Sequence, residues 1–223
     1  MNRFFLSSIL ALILPWIAPA QDQDPIPAPA PPFLAPIPDN TACTIKVTNE
    51  LSGDKLPPGA RIVKQMINIK SGSARVLISD WTDGSRSQTW FVNGCRLEQA
   101  PGNGPITVTR LNGNADPQNA DFPGFEWLSL SNYKGLEKKN SINCYKFKDQ
   151  LKLTGQRVTV DYLAYIDVKT KMPVSWDVGA NHFNLASMEA AAMPAIPQAF
   201  SESLKAYRIA ESIPRSYKKK TGL

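Results

Sequence analysis

The feature that most constrains this chain is a strict period of two between residues 158 and 178. Val158, Val160, Tyr162, Ala164, Ile166 and Val168 occupy every second position. A helix would scatter these residues around its circumference, whereas a strand sets them all on one face. A turn around Lys169-Thr170-Lys171 returns the chain through Met172, Val174, Trp176 and Val178, again in alternation. The two segments predict an antiparallel hairpin. Leu163 and Tyr165 are apolar on its opposite face, so that side is expected to be partly covered too.

The same period recurs upstream. Cys43, Ile45 and Val47 alternate with Thr44, Lys46 and Thr48. Residues 61–70 and 74–81 are β-branched runs joined by Ser71-Gly72-Ser73, which reads as a hairpin. Residues 89–92 and 95–99 flank Asn93-Gly94, the strongest short hairpin signal in a sequence. Short strands are expected at 106–110 and 142–147. Between them lies a polar loop, NGNADPQNADFPG, whose neighbouring aromatics Phe122, Phe125 and Trp127 are placed to anchor it against a sheet. Past Gly179 the texture turns to alanine and methionine. Residues 185–193 are expected to form a short helix stopped by Pro194 and Pro197, and residues 201–213 a second one with Ser201 as N-cap.

These elements place the folded domain at residues 43–213. Residues 1–20 have the layout of a secretory signal peptide: Arg3, an apolar stretch, then Ala18-Pro19-Ala20 as the cleavage site. That implies a periplasmic or secreted protein with no transmembrane span after cleavage. Residues 21–42 carry Pro25, Pro27, Pro29, Pro31, Pro32, Pro36 and Pro38, and read as a disordered, solvated leader or semi-rigid spacer. Residues 214–223 read as a basic tail, which holds part of the formal charge of +6. A frayed terminus accounts for such a tail, with contact to an anionic cell-envelope polymer as the functional rival. Nucleic acid is not an expected partner of an exported chain.

The missing chemistries narrow the function further. The chain has one histidine, His182, so a nucleophile-histidine mechanism would run entirely through it and a histidine-based zinc site is excluded by count. No phosphate-binding or dinucleotide loop and no GxSxG is present. Asp80 and Asp83 lie in DWTDGS and read as turn residues. Asn112, Asn114 and Asp116 begin with calcium-loop spacing, but Pro117 stands where the glycine is required, and no metal is expected. Cys43, Cys95 and Cys144 allow one disulfide and an odd thiol in an oxidising compartment, with the pair left open. The chain is therefore expected to be no enzyme and to need no cofactor.

The run WTDGSRSQTWFVNG, then FPGFEWLSLSNYKG, NCYKF and finally YLAYIDVKTKMPVSWD resembles the lipoprotein-carrier-like (LolA-like) periplasmic proteins, an unclosed β-barrel family. The resemblance spans roughly residues 43–178. It implies a mainly β (α+β) fold, with a single curved antiparallel sheet of half-barrel shape and short C-terminal helices covering it. It also implies that a lipid or lipidated protein is held on the concave face. Trp90, Trp127 and Trp176 are then the expected lining residues. The alternative is a structural or adhesive envelope module that uses the proline-rich segment as spacer and the basic tail as anchor.

Overall fold

The structure is a computed structural model that describes residues 26–50, 61–99, 104–111, 121–122, 124–152 and 159–212. The expected signal segment, the basic tail and the calcium-like positions Asn112, Asn114 and Asp116 lie outside the described residues. The strands are β1 (Thr41–Asn49), β2 (Val63–Ser71), β3 (Ala74–Trp81), β4 (Arg86–Val92), β5 (Cys95–Gln99), β6 (Ile106–Arg110), β7 (Tyr133–Lys139), β8 (Ile142–Lys152), β9 (Thr159–Asp167), β10 (Pro173–Val178) and β11 (Asn181–Ala190). One α-helix follows, α1 (Gln198–Ser212). The strands form one 11-stranded antiparallel sheet in the order β6-β5-β4-β3-β2-β1-β11-β10-β9-β8-β7. Its edges, β6 and β7, do not meet, so the sheet is not closed.

Two meanders, β2 to β6 and β7 to β11, are joined through the pairing of β1 with both β2 and β11. Turn chemistry sets each register. Asn93 and Gly94 both adopt positive φ (53° and 73°), the pair of left-handed residues that a two-residue hairpin with native twist requires. Asn140 and Ser141 do the same between β7 and β8, at 49° and 67°.

Facing residues across an antiparallel ladder share a face, so the register shows where each side chain goes. Val47, Phe183, Trp176, Ala164, Phe147 and Tyr133 form one continuous row across β1, β11, β10, β9, β8 and β7. This is the front face, and it carries the larger core, with Phe122, Phe125, Leu34 and Ile37 packed on it. A second row crosses the other half: Ile69, Val76, Trp90, Leu97 and Val108 on β2 to β6. Ile69 is opposite Ala42, which alternates with the front-face residues Cys43 and Ile45. The second row therefore lies on the back face. There it is covered by α1, through Phe200 and Leu204 one turn apart, with the Phe200 ring 6.2 Å from Trp90. The sheet thus buries opposite faces in its two halves.

Two expectations are corrected. The helix expected at 185–193 does not form, since residues 185–190 belong to strand β11 and 191–193 to irregular chain, so α1 is the one C-terminal helix among the described residues. Pairing with β1 along its length, and with β10 at Asn181 to Asn184, overrides the helix propensity of the alanines, methionine and glutamate that follow. Residues 26–40 also depart from the solvated leader expected of them. Leu34 and Ile37 are buried in the front core, and the Phe33 ring meets Phe147 edge-on at 5.4 Å. Pro27, Pro29, Pro31, Pro32, Pro36 and Pro38 have no N–H to give to a ladder, so this segment crosses the sheet as a strap and adds no strand.

Candidate functional site

The apolar front face of β1 and β7 to β11 is the candidate binding surface, and its cover comes from irregular chain. The strap contributes Leu34 and Ile37, with Ile26 and Phe33 partly buried beside them. The loop before β7 contributes Phe122, Phe125, Trp127 and Leu128. The strap is tied by few polar contacts. Ala35 N–H donates to the Lys171 carbonyl (3.0 Å), Ile37 N–H to Asp121 Oδ2 (2.8 Å) and Tyr145 O–H to the Pro27 carbonyl (3.1 Å), and where the strap meets β1 Asn40 accepts from Ala191 N–H (2.8 Å) and Ser71 Oγ–H (2.7 Å). Most of its attachment is therefore apolar contact.

The three tryptophans expected to line one surface are divided by the register. Trp176 is buried on the front face, stacked on Phe183 at 5.1 Å with an interplanar angle of 4°, and 5.2 Å from Phe125. Trp127 is half-buried beside Tyr162 at 5.6 Å, in the same cluster. Trp90 lies on the back face beneath α1 and shares no surface with the other two.

Sequence reasoning did not single out Asp121, around which the strap, β2 and β3 meet. Its Oδ2 accepts from Ile37 N–H and from Lys70 Nζ, both at 2.8 Å, and its backbone carbonyl accepts from Asn68 Nδ2 at 2.7 Å. Arg75 Nη1 stands 3.8 Å from Asp121 Oδ1, outside hydrogen-bond reach, and the guanidinium lies over the Phe91 ring at 4.0 Å from its centroid. Burial lowers the Arg75 pKa to about 10 against the opposing pull of Asp121, which leaves it charged at neutral pH. Arg75 Nη1 and Asn68 Oδ1 are both buried without a hydrogen-bond partner among the described residues. Beside this cluster, at the β2–β3 turn, lies a cavity of about 220 Å³ lined by Lys70, Ser73, Arg75, Phe91, Leu111 and Asp121. A more open cavity of about 400 Å³ separates α1 from the β4–β5 turn, with Val92, Ile196, Leu204, Lys205 and Arg208 around it.

His182 is held on the back face, opposite Thr48 of β1 and Asp177 of β10. Its Nδ1 is 2.8 Å from Asp177 Oδ1 and its Nε2 3.2 Å from Glu50 Oε1. The hydrogen bond to Asp177 raises its pKa most, and Glu50 adds to the rise. With both ring nitrogens engaged by carboxylates, the imidazole cross-links three segments of the sheet. Asp83 is a turn residue, accepting from the Ser85 N–H at 2.9 Å, and Asp80 pairs with Arg86 at 2.7 Å.

The disulfide expected among the cysteines is not formed: Cys43, Cys95 and Cys144 are all free and buried. They sit on β1, β5 and β8, and four strand spacings separate β1 from each of the others. That is roughly 19 Å along the sheet, against a Cα separation of about 4.4–6.8 Å in a disulfide. Burial, reinforced by Asp121, pushes the Cys43 thiol up to about 11, and burial likewise raises Cys144. Among the described residues no group of three or more His, Cys, Asp or Glu side chains converges as metal ligands. No helix among them is long and apolar enough to cross a membrane.

No family model matches the chain, and no curated protein matches it either. Among solved structures, the Mycobacterium tuberculosis lipoprotein LppX is similar at 12% identity over 70% of this chain and 88% of that one, with a TM-score of 0.35. The Pseudomonas aeruginosa MucA/MucB complex is similar at 12% identity over 71% of this chain and 54% of that one, with a TM-score of 0.26. At these scores neither likeness bears on what this chain does.

Proposed function

We propose that this chain is an exported, non-catalytic binding protein that takes an acyl chain, free or attached to a protein, on its front face in place of the strap. The observation that carries this reading is the nature of the cover. A continuous aromatic and aliphatic row crosses six strands, and across it lies an extended proline-rich segment with few hydrogen bonds to the sheet. Such a segment can leave without breaking a ladder. An acyl chain replacing it regains the apolar burial, worth about 25 cal/mol per Å². On this reading the ligand meets Trp127 and Trp176, which belong to the front-face cluster, and does not meet Trp90, which belongs to the back one.

The test is native mass spectrometry of the mature chain purified without detergent, alongside a fluorescent fatty-acid titration of a variant lacking residues 26–38. A bound acyl mass, or tighter binding by the deletion variant, supports the proposal. An apo mass together with no binding by a folded deletion variant overturns it.

A further inference from the structure

The cavity at the β2–β3 turn contains a charge arrangement that the apolar reading does not use. Lys70 and Arg75 both point at Asp121, so two cations share one carboxylate. Lys70 takes the close position at 2.8 Å, while Arg75 Nη1 is left at 3.8 Å with no hydrogen-bond partner among the described residues. The Arg75 side chain is only 8% exposed, and its guanidinium is held in place by the Phe91 ring. A buried, unpaired guanidinium N–H is costly, and such a group in a native structure calls for an explanation. Among the described residues that line the cavity Asp121 is the one acid, so Lys70 and Arg75 leave their sum one positive charge in excess.

We infer that this cavity is an anion-binding site that receives one phosphate or carboxylate group between Arg75, Lys70 and the rim at Ser73. Three features fit that chemistry. Arg75 lines the cavity and its Nη1 has no partner among the described residues, and a planar guanidinium suits an oxyanion. The lysine, already engaged by Asp121, retains further donors. The volume of about 220 Å³ leaves room for the anion and a short part of its carrier. The site stands apart from the acyl-chain reading, because its ligand contacts the β2–β3 turn and not the row beneath the strap. The anion can be the head group of an acyl lipid or a free small anion; the recognising chemistry is the same.

The test uses the full mature chain, by isothermal titration and thermal shift, with inorganic phosphate against sodium chloride at matched ionic strength. Phosphate is expected to bind and raise Tm beyond the chloride control. Arg75→Met should weaken binding roughly ten- to a hundredfold, the range for losing a charge-assisted hydrogen bond. Ser73→Asp, on an exposed turn residue, should weaken it in the same direction without touching the buried cluster, and it carries the test if Arg75→Met does not fold. A monoacylglycerol phosphate run in parallel separates the sources. Arg75-dependent binding much tighter than inorganic phosphate identifies a head group, and comparable binding identifies a free anion. No phosphate response beyond chloride overturns the site, and so does equal binding by wild type and the folded variants.

Discussion

Replacing Ile37 by alanine tests whether the strap is a displaceable cover or a permanent part of the core. Ile37 is 1% exposed, and truncating such a side chain costs about 2–5 kcal/mol when the surroundings cannot collapse. If the strap docks and undocks while the sheet stays folded, this cost falls on the docking equilibrium alone. Its open fraction then rises by the corresponding factor, about 30-fold for 2 kcal/mol. Apparent ligand affinity scales with the fraction of competent protein, so a fatty-acid probe should bind up to about 30-fold tighter, levelling off once the strap is mostly open. Hydrogen exchange supplies the independent readout through the amides of Ala35 and Ile37, which are bonded to the Lys171 carbonyl and to Asp121. In the wild type these amides should exchange at a lower free energy than those of β8 and β9, because they open locally. The reasoning is refuted if the strap amides exchange at the same free energy as β8 and β9 while Ile37→Ala gains no affinity.

Phe200→Ala should destabilise the chain by about 3–5 kcal/mol, since it removes the buried ring that docks α1 on Trp90. Urea titration followed by tryptophan fluorescence measures this, and a loss under 1 kcal/mol would mean that α1 contributes little to the back core. His182 supplies a pH dependence of known sign. Its folded pKa is raised above its usual 6.5, so its stabilising contribution is complete below pH 6.5 and disappears as pH rises through the raised folded value. His182→Gln should therefore flatten the change in denaturation midpoint across neutral pH, and an unchanged profile would remove the carboxylate-histidine contacts from the account.

Much of the sheet is legible in the sequence because its signals are local. The alternation from Val160 to Ile166 is β9, and Asn93-Gly94 is the β4–β5 turn. β11 is disguised for a definite reason. Where β1 runs from Thr44 to Ile45, its partners jump from Ser187 to Leu185, which leaves Ala186 as an extra residue. That bulge sets Leu185 and Met188 three positions apart although both face the front, and a spacing of three among alanines imitates a helix. The strap is illegible because prolines announce the absence of a ladder, while its docking depends on residues far along the chain, among them Asp121, Phe147 and Lys171. The tryptophans look alike because alternation relates residues within a strand; it takes the full register to show that Trp90 and Trp176 point to opposite sides. Asp121 gives no signal at all, being one acid in a polar loop whose partners Lys70 and Arg75 flank a hairpin turn far earlier in the chain.

The strap and α1 each finish the half of the sheet that lies farther away along the chain. The strap precedes β1 yet seals β7 to β11, and α1 follows β11 yet seals β2 to β6. A ribosome that has made only the first meander has its helix still unmade, and of the strands β1 and β7 to β11 beneath the strap it has made β1 alone. Neither half can therefore mature as an early, self-sufficient intermediate, and completion of the fold waits for nearly the last residue of α1. A nascent chain of this design stays pliable throughout synthesis, then closes both halves late, and the β1–β11 ladder is the seam along which that closure is made.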